Sequence, residues 1–202
     1  MPLWLADMPL VLASRSGIRR AILTDAGIPV EVVPADIDER DIEARAGVAD
    51  AREVAALLAQ EKAAAVSARM PGRLVLGADQ TLALGWRRFS KPMDAVSARV
   101  QLLALSGNTH ELHAALALVC DGAALFAHRE AARLTMRTLS EDYLDAYLDA
   151  VGTAATESVG GYQLEKTGIQ LFEQIEGDHF TILGLPILPL LKFLRQEGSL
   201  AQ

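Results

Sequence analysis

Apolar residues fall in short runs separated by polar turns, interleaved with longer stretches of helical spacing. Residues 10–13 are wholly apolar and predict a buried strand. A polar turn at 14–17 leads into helical periodicity over 18–26, stopped by Gly27. Residues 30–33 predict a second strand, ended by Pro34. Strand, loop, helix, strand is the start of an α/β layer. The charged stretch 36–50 predicts loop with some helical turns, and 52–70, rich in Ala and Leu, a long helix ended by Pro71-Gly72. A short strand at 74–77 leads into Ala78-Asp79-Gln80-Thr81. Residues 82–90 predict a hairpin around Gly85, and 92–105 a helix. Two long strands, 109–120 and 123–138, are joined by Asp121-Gly122, a strong hairpin signal between apolar runs. Ser140 is the expected N-cap of a helix through Ala150, with Glu141 and Asp142 in its first turn. Residues 159–175 are polar and glycine-rich, and 186–197 predict a closing helix with Gly198 beyond it. With no internal repeat or dividing linker, the pattern predicts an α/β fold, a mixed sheet with helices on its faces around a cleft.

Composition narrows the picture. At 202 residues and 51% hydrophobic, the chain suits one domain or two lobes around a cleft and excludes a disordered, collagen-like or coiled-coil chain. A net charge of −7 argues against a nucleic-acid partner, because phosphate backbones need a broad basic face. An anionic ligand would need local positive charge. Cys120 stands alone, so no intrachain disulfide is expected, and its apolar surroundings predict a buried thiol. The N-terminus lacks a basic segment followed by a long apolar core, so no secretory signal is expected. The apolar stretch 182–191, broken by Gly184, Pro186 and Pro189, is short of the about 20 residues a membrane span needs. The expectation is a soluble, cytoplasmic protein with no membrane partner.

Several residues could carry chemistry. Ser14-x-Ser16-x-x-Arg19 follows a strand and opens a helix, where hydroxyls, amides and the helix dipole favour an anion. The plain alternative is a capped helix with an exposed arginine. No Walker loop is present. Lys62 shares a helical stripe with Leu58 and Val66, so it either snorkels to solvent or meets an anionic partner in a cleft. Asp79 follows an apolar strand, where a carboxylate often faces the ligand crevice of an α/β sheet; otherwise it caps a turn. Lys91 precedes Pro92 and a helix, and Glu39 lies in a charge run that is usually solvated. Glu165 sits in the glycine-rich segment, as a metal ligand, base or hydrogen-bond acceptor. His110 and His113 lie three apart in one strand, so they face opposite sides and do not chelate together; all four histidines are expected to be structural or exposed.

Taken in order, these islands resemble the Maf family of nucleoside triphosphate pyrophosphatases. The resemblance covers residues 9–197 and rests on Leu12-Ala-Ser-Arg-Ser16 with Arg19, Asp38-Glu39, Leu58-Ala-Gln-Glu-Lys62, Leu76-Gly-Ala-Asp-Gln80, Lys91-Pro92, Leu105-Ser-Gly107 with His110, Gly161-Tyr162, Glu176-Gly-Asp178 and Gly184-Leu-Pro186. It implies a Maf/ITPase-like twisted mixed sheet with flanking helices, two lobes around a nucleotide cleft, in a domain spanning 9–198 with tails at 1–8 and 199–202. It implies hydrolysis of the α–β phosphate bond to nucleoside monophosphate and pyrophosphate, a house-cleaning role. Asp79, Lys62 and Lys91 would be catalytic; Ser14, Ser16, Arg19, Gln80 and Glu165 would bind substrate; Glu39 and Asp79 would hold Mg²⁺ or Mn²⁺. A homodimer is common in the family, though no apolar stripe here demands one.

The chain departs from the common pattern in three places. Gly17 and Ile18 replace Pro and the first Arg of Ser-x-Ser-Pro-Arg-Arg, Gln80 replaces Thr, and Glu165 replaces Gln. These departures look like the 7-methyl-GTP branch. A carboxylate at 165 would attract the positively charged methylated guanine and accept hydrogen bonds from its N1–H and amino group. The rival readings are a dTTP/UTP pyrophosphatase and a non-catalytic nucleotide-binding regulator of cell division.

Overall fold

A computed structural model describes residues 2–202. In chain order its elements are β1 (Leu10–Leu12), α1 (Gly17–Asp25), β2 (Val30–Val32), α2 (Glu39–Ala46), α3 (Ala51–Ser67), β3 (Val75–Leu84), β4 (Arg87–Phe89), α4 (Ala95–Leu105), β5 (Thr109–Cys120), β6 (Ala123–Met136), α5 (Glu141–Val151), β7 (Phe172–Glu176), α6 (His179–Ile182) and α7 (Ile187–Gln196), with 3₁₀ turns between α5 and β7. Seven strands form one mixed sheet in the order β2-β1-β3-β5-β6-β7, with β4 on β3. The fold is α/β, as expected.

Strand β3 is the hub. It runs parallel to β1 through Val75 and Leu76, antiparallel to β5 from Val75 to Ala83, and antiparallel to β4 from Leu82. The sequence pattern ended this strand at Gly77. Pairing with β5 carries it on to Leu84, so Asp79 lies in the middle of a strand and not at its end. Apolar packing divides at this point. Leu76 and Ala78 belong to a cluster with Leu10, Leu12, Leu23 and Leu190, whereas Leu82 joins Leu102, Leu105, Leu112, Leu134 and Leu144.

Helix α3 lies over β3. Asp50 caps it, its carboxylate accepting from the amides of Arg52 and Glu53 at 2.9 and 3.1 Å. Its buried face is small, with Ala55, Ala59 and Ala63, which lets the helix approach the sheet closely. At Asp121-Gly122 both residues have positive φ, 48° and 77°, as a tight two-residue hairpin turn needs.

The structure differs from the pattern elsewhere as well. Strand β7 falls largely within the stretch 159–175, read only as polar and glycine-rich, because it is an exposed edge strand with little apolar alternation, and the four-residue helix α6 falls where no element was expected. Cys120 is half-buried, since it ends β5 beside the turn. The terminal segments clasp each other: the Leu5 amide donates to Ser199, the Ala201 amide donates to Leu3, and Leu200 is buried. Among the described residues no helix is long and apolar enough to cross a membrane.

Candidate functional site

Glu39, Lys62 and Asp79 meet in space. Lys62 Nζ donates to Asp79 Oδ1 at 2.5 Å and pairs with Glu39 Oε1 at 2.8 Å. The fold brings them together from three elements. Glu39 opens α2, which Asp38 caps through the Asp41 amide. Lys62 projects from α3, and Asp79 from the face of β3 that α3 covers. The Lys62 and Asp79 side chains are only 12% and 10% exposed, so the pair is nearly desolvated, while Glu39 is 47% exposed and faces solvent. Burial raises the Asp79 pKa above its ordinary value; Lys62 and Arg19 oppose that shift.

Arg19 approaches from the other side of the strand. Its Nη1 donates to the Ala78 carbonyl at 2.8 Å and to Ser14 Oγ at 3.3 Å, and its Nε donates to the Gly184 carbonyl at 2.9 Å. Burial lowers its pKa, with Asp79 and Glu39 acting against that. Ser14 Oγ also accepts from the Ser16 amide at 3.2 Å, and Ser16 Oγ caps α1 through the Arg19 amide at 3.3 Å. The capped helix and the polar loop are therefore one structure. Much of Arg19's donor fork braces the β1–α1 loop against β3 and the Gly184 turn. Arg15, whose role was not legible in the sequence, pairs with Asp36 at 2.5 Å and ties this loop to the approach to α2.

Gln80 points to the opposite face of β3 from Asp79. Its amide donates to the Thr181 and Ile182 carbonyls at 3.0 and 2.9 Å, holding α6. Glu165 is exposed and lines a cleft of about 370 Å³ with Leu164, Ile169, Ile175, Ile182 and His179. Lys91 is exposed between β4 and α4, outside the Glu39–Lys62–Asp79 cluster. The structure thus gathers Glu39, Lys62 and Asp79, sets Arg19 and Ser14 beside β3, and puts Gln80 and Glu165 on the far side.

Residues 9–197 match the family described as Maf-like protein. The chain belongs to the Maf-like family. A nucleoside triphosphate pyrophosphatase of Rhodopseudomonas palustris (strain HaA2) is 60% identical over 201 residues, covering 100% of both chains. A 7-methyl-GTP pyrophosphatase of Rhizobium etli is 53% identical over 193 residues, 95% of this chain and 97% of that one. A HAM1 protein of Coxiella burnetii gives a TM-score of 0.42 at 17% identity, over 64% of this chain and 73% of that one, a likeness too loose to carry an argument.

The donor set of this Maf-like chain suits a magnesium-type ion. No cluster of three or more His, Cys, Asp or Glu in metal-binding arrangement occurs among the described residues, so a dedicated protein cage is not built. Two carboxylates converging on one point are what Mg²⁺ uses when substrate phosphates and water complete its shell.

Sequence reasoning assigned no site role to the residues that hold the Glu165 segment. Gln101 Oε1 accepts from the Gly160 amide at 3.1 Å, Tyr147 donates to the Gly161 carbonyl at 3.3 Å, and His110 Nε2 bonds the Tyr162 hydroxyl at 2.7 Å. His110 is fully buried, and desolvation lowers its pKa to about 4, so it is neutral at pH 7. Gly160 and Gly161 have φ near 80°, and a Cβ at Gly160 would stand 2.7 Å from the Leu82 side chain. The paired glycines, with His110 and Tyr162 in the ordered series of motifs, were the signals in the chain that marked this segment.

Proposed function

We propose that this chain hydrolyses the bond between the α and β phosphates of nucleoside triphosphates, releasing a nucleoside monophosphate and pyrophosphate, with 7-methyl-GTP the preferred substrate. The observation that carries the reaction class is the desolvated Lys62 ammonium held between Glu39 and Asp79. A triphosphate carries about four negative charges, and its attack by water needs that charge offset first. Glu39 and Asp79 would hold the divalent ion. When bound, that ion neutralises phosphate charge and makes the phosphorus more electrophilic. Lys62 offers three donors on a flexible stem and turns toward the phosphate oxygens as the leaving pyrophosphate gains charge. Asp79, at the same position, is placed to take the proton of the attacking water. The water oxygen bonds to the α phosphorus, and the bond to the bridging oxygen breaks.

Glu165 supports the base preference. It is the carboxylate in a cleft lined by Leu164, Ile169, Ile175 and Ile182 together with Lys166 and His179, and it would draw the cationic ring. The Rhizobium etli relative carries the same substrate in its name. The test is a panel of normal and methylated nucleoside triphosphates with Mg²⁺ or Mn²⁺, read as pyrophosphate release. 7-methyl-GTP should show the highest kcat/KM, and Asp79→Asn should lower turnover by about 10²–10⁴-fold while nucleotide still binds. Glu165→Gln should erode the preference over UTP and dTTP. Absence of pyrophosphate from every nucleotide would refute the reaction, and a preference indifferent to Glu165→Gln would refute the base assignment.

A further inference from the structure

The geometry points to Lys62 as the occupant of the cation position in the nucleotide-free protein, so that the divalent ion enters with the triphosphate and not before it. This rests on the reading of Glu39 and Asp79 as the ion's ligands. One ammonium touches both carboxylates, at 2.8 and 2.5 Å. An ion bound to both oxygens at the about 2.1 Å that magnesium requires would overlap the space Nζ fills. Lys62 and the ion therefore exclude each other unless the side chain moves.

Charge explains what moves it. Asp79 and Glu39 supply two negative charges, and Lys62 and Arg19 supply two positive ones that act on the same carboxylates. These four side chains sum to zero formal charge, so the carboxylates' negative charge is already offset before a free cation arrives. Arg19 cannot leave easily, because Ala78 and Gly184 carbonyls hold it. Lys62 has no such backbone anchor, and its four-carbon stem can swing to a new partner. A triphosphate supplies that partner. Its oxygens draw Nζ away, free both carboxylates and bring the excess negative charge that a divalent ion then balances.

The test measures Mn²⁺ binding to the whole protein without nucleotide, by calorimetry and by the electron paramagnetic resonance of free Mn²⁺. The wild-type protein should bind Mn²⁺ weakly. Lys62→Met, which keeps the stem and removes the charge, should bind at least about tenfold more tightly. Adding Asp79→Asn to that variant should abolish the gain. Should the paired carboxylates of Lys62→Met upset folding, the wild type alone still decides: its Tm should not respond to about 1 mM Mn²⁺, whereas tight binding would raise it. A one-to-one tight site in the nucleotide-free wild type, or unchanged affinity in folded Lys62→Met, overturns the inference. The nucleotide panel separates the two claims. Pyrophosphate release with no gain in Lys62→Met sinks this inference alone, and a gain without pyrophosphate release sinks the reaction alone.

Discussion

Gly77→Ala is the sharpest probe of how the fold sets the site, because Gly77 lies two residues before Asp79 on the same face of β3. A Cβ there would stand 2.1 Å from the Ala59 carbonyl oxygen, 2.7 Å from the Ala63 amide nitrogen and 2.9 Å from the Ala63 Cβ. Two of the three are backbone of α3, so no side-chain rotation relieves them. The Gly77 φ is not in the left-handed region, so the penalty is steric and not conformational. To move from 2.1 Å to the 3.4 Å where ordinary contact begins, α3 must retreat by more than 1 Å, against a core that packs like a crystal. Overfilling by one methyl costs about 1–3 kcal/mol, and the rigid neighbours put this site at the upper end. Lys62 precedes Ala63 on the same helix, so its Nζ withdraws from Asp79. Misplacement by about 1 Å costs about 10²-fold in rate. The assays are the urea midpoint and kcat/KM for pyrophosphate release on one preparation. Gly17→Ala is the control for stability, since nothing lies within 4 Å of its Cβ. A Gly77→Ala protein with wild-type midpoint and activity would refute the close-approach reasoning.

Other predictions test the braces around the site. Arg19→Lys keeps the charge but cannot reach both the Ala78 and Gly184 carbonyls, and should lower stability by about 2 kcal/mol in a denaturant titration. His110, with its pKa lowered from 6.5 to about 4, stabilises the fold above pH 6.5 and withdraws that contribution as pH falls toward 4. The loss should reach about 3 kcal/mol, and a folded His110→Gln protein should show a shallower decline in stability over that window. Tyr162→Phe removes only the hydroxyl that meets His110 and should cost about 1–3 kcal/mol, measured by thermal unfolding, by leaving a buried nitrogen unpaired.

The pattern of apolar and polar positions located the elements whose ends carry strong local chemistry. Ser140 caps α5 through the Tyr143 amide, Gly27 ends the first helical stretch at φ 77°, and Asp121-Gly122 turns the long hairpin. Strand β7 was not legible, because its residues are largely exposed and its order comes from pairing with β6. The extension of β3 past Gly77 was equally hidden, since Asp79-Gln80-Thr81 interrupts the apolar run and only β5 holds it straight. Within the site, residue types and their order pointed to Glu39, Lys62 and Asp79. The partners of Gln80, and two of the three partners of Arg19, are backbone carbonyls, some more than 100 residues away, and a carbonyl leaves no mark in a sequence.

Strand alternation explains why the two halves of the chemistry sit apart. Asp79 and Gln80 are adjacent, so the pleat sends them to opposite faces of β3. One face meets α3, where Lys62 and Glu39 assemble the charged cluster. The other meets α6, whose Ile182 lines the cleft that holds Glu165. Arg19 ties the two together by binding the carbonyl of Ala78, the residue just before Asp79, and that of Gly184, just beyond α6. Under the proposed function, a change that tilted β3 would disturb phosphate handling and base reading at once. A change confined to one face would disturb only one. The net charge of −7 fits this division, because the positive charge a polyanion needs is concentrated on a few braced side chains and not spread over a surface.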